Sequence, residues 1–203
     1  MPRPKKTATE IQTMREKILD VALEIVIAEG PQAATSRAIA KQLDVSQMSL
    51  FTYFENQAGI VSALRNRMLS NWASVFEKIK ERALTEDIPP LVKELLGMLV
   101  AFAKDNPNIY RMGWVVPEEG NPYLEEGQQK KLIAADFLAS LLELGIERGD
   151  FAERDPLLAA TTALGMVNVP FILFHTGRID DPAFRDQMVD EVLSAAMGYL
   201  GKK

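Results

Sequence analysis

No cysteine occurs among the 203 residues, and histidine occurs once. The first absence excludes a disulfide framework and thiolate-bound zinc, and it agrees with a reducing compartment. One imidazole and no thiol leave little from which to build a nucleophilic triad. No Gly-rich phosphate cradle and no His-Glu-x-x-His spacing is present. Aromatic side chains make up only 7% of the chain. No alternating polar–apolar run demands a strand, and no repeat or low-complexity tract breaks the sequence. The opening residues Met1 to Thr9 lack the apolar segment of a secretory signal, so export is not expected. These absences predict a cytoplasmic protein that is not an enzyme and uses no cofactor or metal.

What is present is helical periodicity almost throughout, so the expected fold class is all-α. A capping box, Thr7-x-x-Glu10, opens a first helix that carries Ile11, Met14, Ile18, Val21, Ala22 and Ile25 on one side and stops at Gly30-Pro31. Asn56 is placed to cap a long helix reaching about Leu84, and a break covers Thr85 to Pro90. The next helix carries Leu91, Leu95, Met98, Leu99 and Phe102 until Asn106-Pro107, and a shorter one spans Asn108 to Trp114. Residues 115–127 read as a loop, Lys130 to Arg148 as a helix, and Asp155-Pro156 and Asp181-Pro182 as the openings of the last two. Phe184, Met188, Val192, Ala196 and Tyr199 form the expected stripe of the final helix.

The most informative stretch is residues 35–54, where two short helices meet at a tight turn. Ile39 and Leu43 form one apolar edge, Leu50 and Phe54 another, and Val45 lies between them. Thr35 or Ser36 opens the first helix and Ser46 the second. This is a helix-turn-helix pattern. With Leu50 and Phe54 turned inward, Met48, Ser49 and Thr52 face outward, flanked by Gln47, Phe51 and Tyr53, and that face carries no charge. Glutamine, hydroxyls and a thioether suit base edges and thymine methyls in a major groove; the alternative is a packing helix whose outer side happens to be uncharged.

Arg15-x-x-Ile18-Leu19-x-x-Ala22, Gly30, Thr35-x-x-x-Ile39-Ala40 and Val45-Ser46-x-x-x-Leu50-Phe51-x-Tyr53-Phe54 together resemble the tetracycline-repressor (TetR) family of bacterial regulators. The resemblance implies an N-terminal three-helix DNA-binding domain, a C-terminal helical domain for ligand binding and dimerisation, and a homodimer. It also implies DNA contacts from Thr35, Ser36, Arg37, Ser46, Gln47, Met48, Ser49 and Tyr53, to which the outward face adds Thr52. Phe51 stands where the family usually has tyrosine, Gln57 where it usually has lysine, and Met48 where a small residue is frequent. The expected domains are 1–54 and 55–203.

Charge follows that division. The formal net charge is −5, yet residues 1–67 hold nine Lys/Arg against seven Asp/Glu. Arg3, Lys5 and Lys6 form a basic arm that either follows a phosphate backbone or is a solubilising start. In the second domain Trp72, Phe76, Met98, Phe102, Tyr110, Met112, Trp114, Met166, Phe171 and His175 are candidate walls for a small apolar effector, or core filler. Glu118-Glu119 and Glu125-Glu126 read as solvated pairs in a loop. Leu157 to Thr176 holds no charged residue, but Thr161, Thr162, Asn168, Pro170 and His175 interrupt it, which favours a protein interface over a membrane. The last two helices are expected to pair with their copies about a twofold axis. The sequence thus predicts a ligand-responsive regulator of double-stranded operator DNA, a repressor released by its effector. The alternative is a helical scaffold or partner-binding protein with weak or no specific DNA binding.

Overall fold

The computed structural model describes residues 7–115 and 133–201. The basic arm, the acidic pairs at 118–119 and 125–126, and the first residues of the helix expected from Lys130 lie outside them. Every regular element among the described residues is helical: α1 (Ala8–Glu29), α2 (Ser36–Gln42), α3 (Gln47–Leu50), α4 (Gln57–Arg82), α5 (Ile88–Asp105), α6 (Pro107–Tyr110) with a π-helical turn over Arg111–Val115, α7 (Ile133–Glu147), α8 (Pro156–His175) and α9 (Pro182–Leu200).

Local chemistry sets most helix ends. Both halves of the Thr7–Glu10 capping box form, with the Glu10 N–H on Thr7 Oγ1 at 3.2 Å and the Thr7 N–H on Glu10 Oε2 at 2.7 Å. α1 stops at Gly30, whose φ of 94° is a conformation that L side chains rarely adopt. Asn56 Oδ1 accepts the Gly59 N–H at 2.9 Å, Asp155 Oδ1 the Leu158 N–H at 2.7 Å, and Asp181 Oδ1 the Ala183 N–H at 2.8 Å. Orphan carbonyls after α4 are met from far along the chain: Arg148 donates to Ala83 O at 2.7 Å and Glu86 O at 3.1 Å.

The chain forms two compact units. Their described parts are residues 7–68 with 108–115, and residues 69–107 with 133–201. The first unit therefore extends past Phe54. Ile60 and Leu64 of α4 are buried with Ile18, Ala22 and Val26 of α1, and with Ile39, Leu50 and Phe54 of the helix-turn-helix. Met112 of the π-helical turn, expected to line an effector cavity, is 1% exposed in this same core. Asn108 Nδ2 donates to Ile27 O at 3.0 Å, and Arg65 Nε and Nη2 donate to Met112 O at 3.0 and 2.7 Å, holding the segment there.

In the second unit α5 buries Ile88, Leu91, Val92, Leu95, Leu96, Val100 and Ala103 and packs against α7, α8 and α9. Gly145 of α7 lets the Phe151 ring approach; a Cβ there would lie 2.6 Å from it. α8 runs unbroken through Pro170, and it is long and apolar enough to cross a membrane. It packs instead on α7 and α9 along one side, burying Ala160, Ala163, Leu164, Val167 and Phe171. α9 buries Val189, Ala196 and Leu200 and leaves Phe184, at the start of the expected apolar stripe, exposed.

Candidate nucleic-acid interface

The helix-turn-helix is closed by short-range bonds. Thr35 Oγ1 accepts the Ala38 N–H at 3.1 Å to start α2, and Ser46 Oγ accepts the Ser49 N–H at 3.2 Å to start α3. Between them Asp44 takes a left-handed conformation, φ 53°, and the Val45 N–H reaches Ala40 O at 3.0 Å. The second helix is shorter than its apolar spacing predicts. α3 ends at Leu50, and Phe51 to Tyr53 continue as a turn in which the Tyr53 and Phe54 N–H groups both reach Leu50 O, at 2.9 and 3.0 Å. The inward assignment is unaffected: Leu50 and Phe54 are buried.

A four-residue helix does not hold itself in place, because its nucleation cost exceeds what its own bonds return. Three side chains tether it and its neighbours. Arg15 of α1 donates to Tyr53 O and lies over the Phe54 ring, 4.1 Å from its centroid. Gln57, at the start of α4, donates through Nε2 to Ala34 O. Gln47 donates through Nε2 to Ser36 Oγ at 2.8 Å, joining α3 to α2.

The structure brings the predicted contact residues onto neighbouring elements and leaves most accessible. Met48 is 74% exposed; Thr35, Arg37, Ser46, Gln47 and Thr52 are exposed, and Ser49, Phe51 and Tyr53 are half-buried. Ser36 is only 7% exposed, its hydroxyl turned to Gln47. Ser46 Oγ and Ser49 Oγ are 2.7 Å apart, and the Thr52 hydroxyl donates to the Ser49 backbone carbonyl at 2.7 Å. Lys41 is exposed in the last turn of α2. Such a surface offers uncharged donors, acceptors and one thioether, with cations at its side, which is the chemistry of base edges beside phosphates. The tethering roles of Arg15, Gln57 and Arg65 are not visible in the sequence, since their partners are backbone carbonyls.

The candidate effector residues divide between the units. Trp72, Phe76 and Phe102 form an aromatic cluster in the second, with Trp72 edge-on to Phe102 at 5.5 Å and Phe76 stacked on Phe137 at 4.3 Å. Met98, Met166 and Phe171 belong to the same unit, and His175 is the last residue of α8, 5.6 Å from Phe174. Tyr110 and Trp114 stack at 6.3 Å in the first unit, and burial pushes the Tyr110 phenol well above its usual pKa. A cavity of about 50 Å³ beside Met112, Ile60 and Leu64 has room for water and is too small for an effector.

The family described as "Bacterial regulatory proteins, tetR family" matches residues 18–64. The uncharacterized HTH-type transcriptional regulator YvkB of Bacillus subtilis is 31% identical over 140 residues, 68% of this chain and 73% of that protein. The nucleoid occlusion factor SlmA of Haemophilus ducreyi is 27% identical over 139 residues, a stretch that spans 64% of SlmA. Among solved structures, a TetR transcription regulator from Haloarcula marismortui superposes with a TM-score of 0.70 at 16% identity, covering 93% of this chain and 97% of that one. The regulator FadR of Bacillus subtilis, solved in complex with stearoyl-CoA, has a TM-score of 0.62 at 17% identity, covering 91% of this chain and 98% of that one.

Proposed function

Because the chain belongs to the TetR family of bacterial regulatory proteins, we propose that it is a homodimeric, cytoplasmic repressor that binds a near-palindromic operator and is released by a small apolar effector. One observation carries the DNA-reading part: Leu50 and Phe54 anchor α3 while the uncharged side bearing Met48, Ser49 and Thr52 stays accessible. Thr35, Arg37, Ser46, Gln47 and Tyr53 surround that face, with Arg37 and Lys41 as the phosphate partners. Two copies must present it to successive major grooves roughly 34 Å apart.

The outer side of α8 and α9 supports self-association through the last two helices. Leu158, Gly165, Val169 and Ile172 recur at helical spacing on α8, all exposed, and Phe184 of α9 is 49% exposed. Effector control rests on the aromatic cluster of Trp72, Phe76 and Phe102 and on the acyl-CoA held by a protein of the same fold. α4 contributes residues to both units, so an effector that displaces it changes the spacing of the two recognition elements. A coupling of about 1–3 kcal/mol is sufficient, since operator affinity depends on both halves engaging together.

The test is binding to DNA from the gene's own upstream region across a salt series. Replacing Gln47 and Ser49 with alanine is expected to lower operator affinity at least about tenfold while random-sequence affinity barely moves. Equal loss on both DNAs would reject base reading. The scaffold reading is favoured by Phe51 and Gln57, which remove a hydroxyl and a cation; it is selected if no upstream sequence outcompetes random DNA at any salt.

A further inference from the structure

A primary amide reads different bases according to which of its two ends faces the groove. With the oxygen placed to accept from adenine N6 and an N–H placed to donate to N7, it selects adenine; turned over, it meets the wrong pattern. A free side chain swings through many positions, so an exposed glutamine on a recognition element reads a base more strongly when something holds its amide before encounter.

Gln47 has such a fixture. Its Nε2 donates at 2.8 Å to Ser36 Oγ, eleven residues earlier and on the other helix of the motif. Ser36 is 7% exposed, packed at the start of α2 beside buried Ile39 and Ala40, so the acceptor itself does not wander. Gln47 is exposed. An amide nitrogen carries two hydrogens; one is held by Ser36, which leaves the oxygen and the second N–H for an outside partner. The side chain is thus pinned from the protein side while its paired acceptor and donor remain available.

We propose that Ser36 is a specificity-determining positioning residue. By hydrogen-bonding to the Gln47 amide it holds that side chain in place to pair with adenine in each half-site, without itself touching DNA. This deepens the operator-reading function and rests on it. It also gives Ser36 a different part from the direct contact that family resemblance implies.

The experiment uses the full-length homodimer and selection from duplexes with a randomised core. Wild type, Ser36→Ala, Gln47→Ala and the double variant are each sequenced and then titrated on the enriched site. Wild type is expected to enrich adenine at one position of each half-site. Ser36→Ala should keep the rest of the palindrome, its adenine preference at that position falling about tenfold per half-site. Gln47→Ala should lose the same preference, and the double variant should lose no more, with random-duplex affinity unchanged in all three. A Ser36→Ala protein that retains adenine, that weakens every position alike, or whose effect adds to that of Gln47→Ala overturns the proposal. Should Ser36→Ala fail to fold, Ser36→Cys decides: the thiol is close in size and a much poorer hydrogen-bond acceptor, so the adenine preference should fall, and a preference at the wild-type level overturns the proposal. Failure of wild type to enrich any sequence removes the operator reading and this inference together; enrichment of a palindrome with no adenine preference removes this inference alone.

Discussion

The guanidinium of Arg15 sits 4.1 Å from the centre of the Phe54 ring, linking the first helix to the turn that closes the recognition element. The same group donates to the Tyr53 carbonyl, so one side chain fixes both the ring and the backbone beside it. Arg15→Ala is expected to destabilise the first unit by about 2–3 kcal/mol, the sum of a cation–π contact and a charged hydrogen bond. Arg15→Lys should recover part of that, keeping charge without the planar fork. Denaturant unfolding measures it, and an unchanged midpoint for Arg15→Ala rejects the tether.

Arg65 offers a second test, on the segment that follows α6. Its Nε and Nη2 both donate to Met112 O. Arg65→Ala leaves that carbonyl without its charged donors and should cost about 1–3 kcal/mol. Hydrogen exchange should report the loss first in residues 108–115, and uniform protection across that stretch in the variant contradicts the assignment.

Gln57→Lys should change DNA binding in a defined way. Gln57 spends its Nε2 on Ala34 O, and its Oε1 is buried without a partner among the described residues. A lysine restores a cation at the edge of the motif. The slope of log affinity against log salt on random duplexes is expected to steepen by about 0.9 for each phosphate gained. An identical slope would mean that this position lies away from the backbone.

For self-association the sensitive place is the outer side of α8, where Val169 is 43% and Ile172 36% exposed. Glutamate at both positions should yield monomers by sedimentation, with helicity retained. Operator affinity should fall by about 100-fold or more, because the second half-site no longer binds at high effective concentration. Dimers that survive the change would place the interface elsewhere.

Much of this molecule was legible because its helix ends are local events. Thr7, Asn56, Asp155 and Asp181 cap the helices their positions predict, and Leu50 and Phe54 turn inward as their spacing requires. The length of α3 was not legible: apolar spacing continues to Phe54, yet the chain leaves α-helical geometry after Leu50. Met112 was also misleading, since periodicity shows that a residue is buried and says nothing about which core receives it. The backbone acceptors of Arg15, Gln57 and Arg65 leave no trace in side-chain identity, so their roles emerge only from the fold.

The hydrogen bonds that engage the hydroxyls of Ser46, Ser49 and Thr52, and the one that joins Gln47 to Ser36, have a thermodynamic consequence. Side chains already confined to one rotamer before encounter have little freedom left to surrender on association, where each mobile one would forfeit about 0.5–1.5 kcal/mol. A duplex that meets these four side chains finds them already engaged, and calorimetry of the complex should register a smaller entropic penalty than a face of loose lysines would incur.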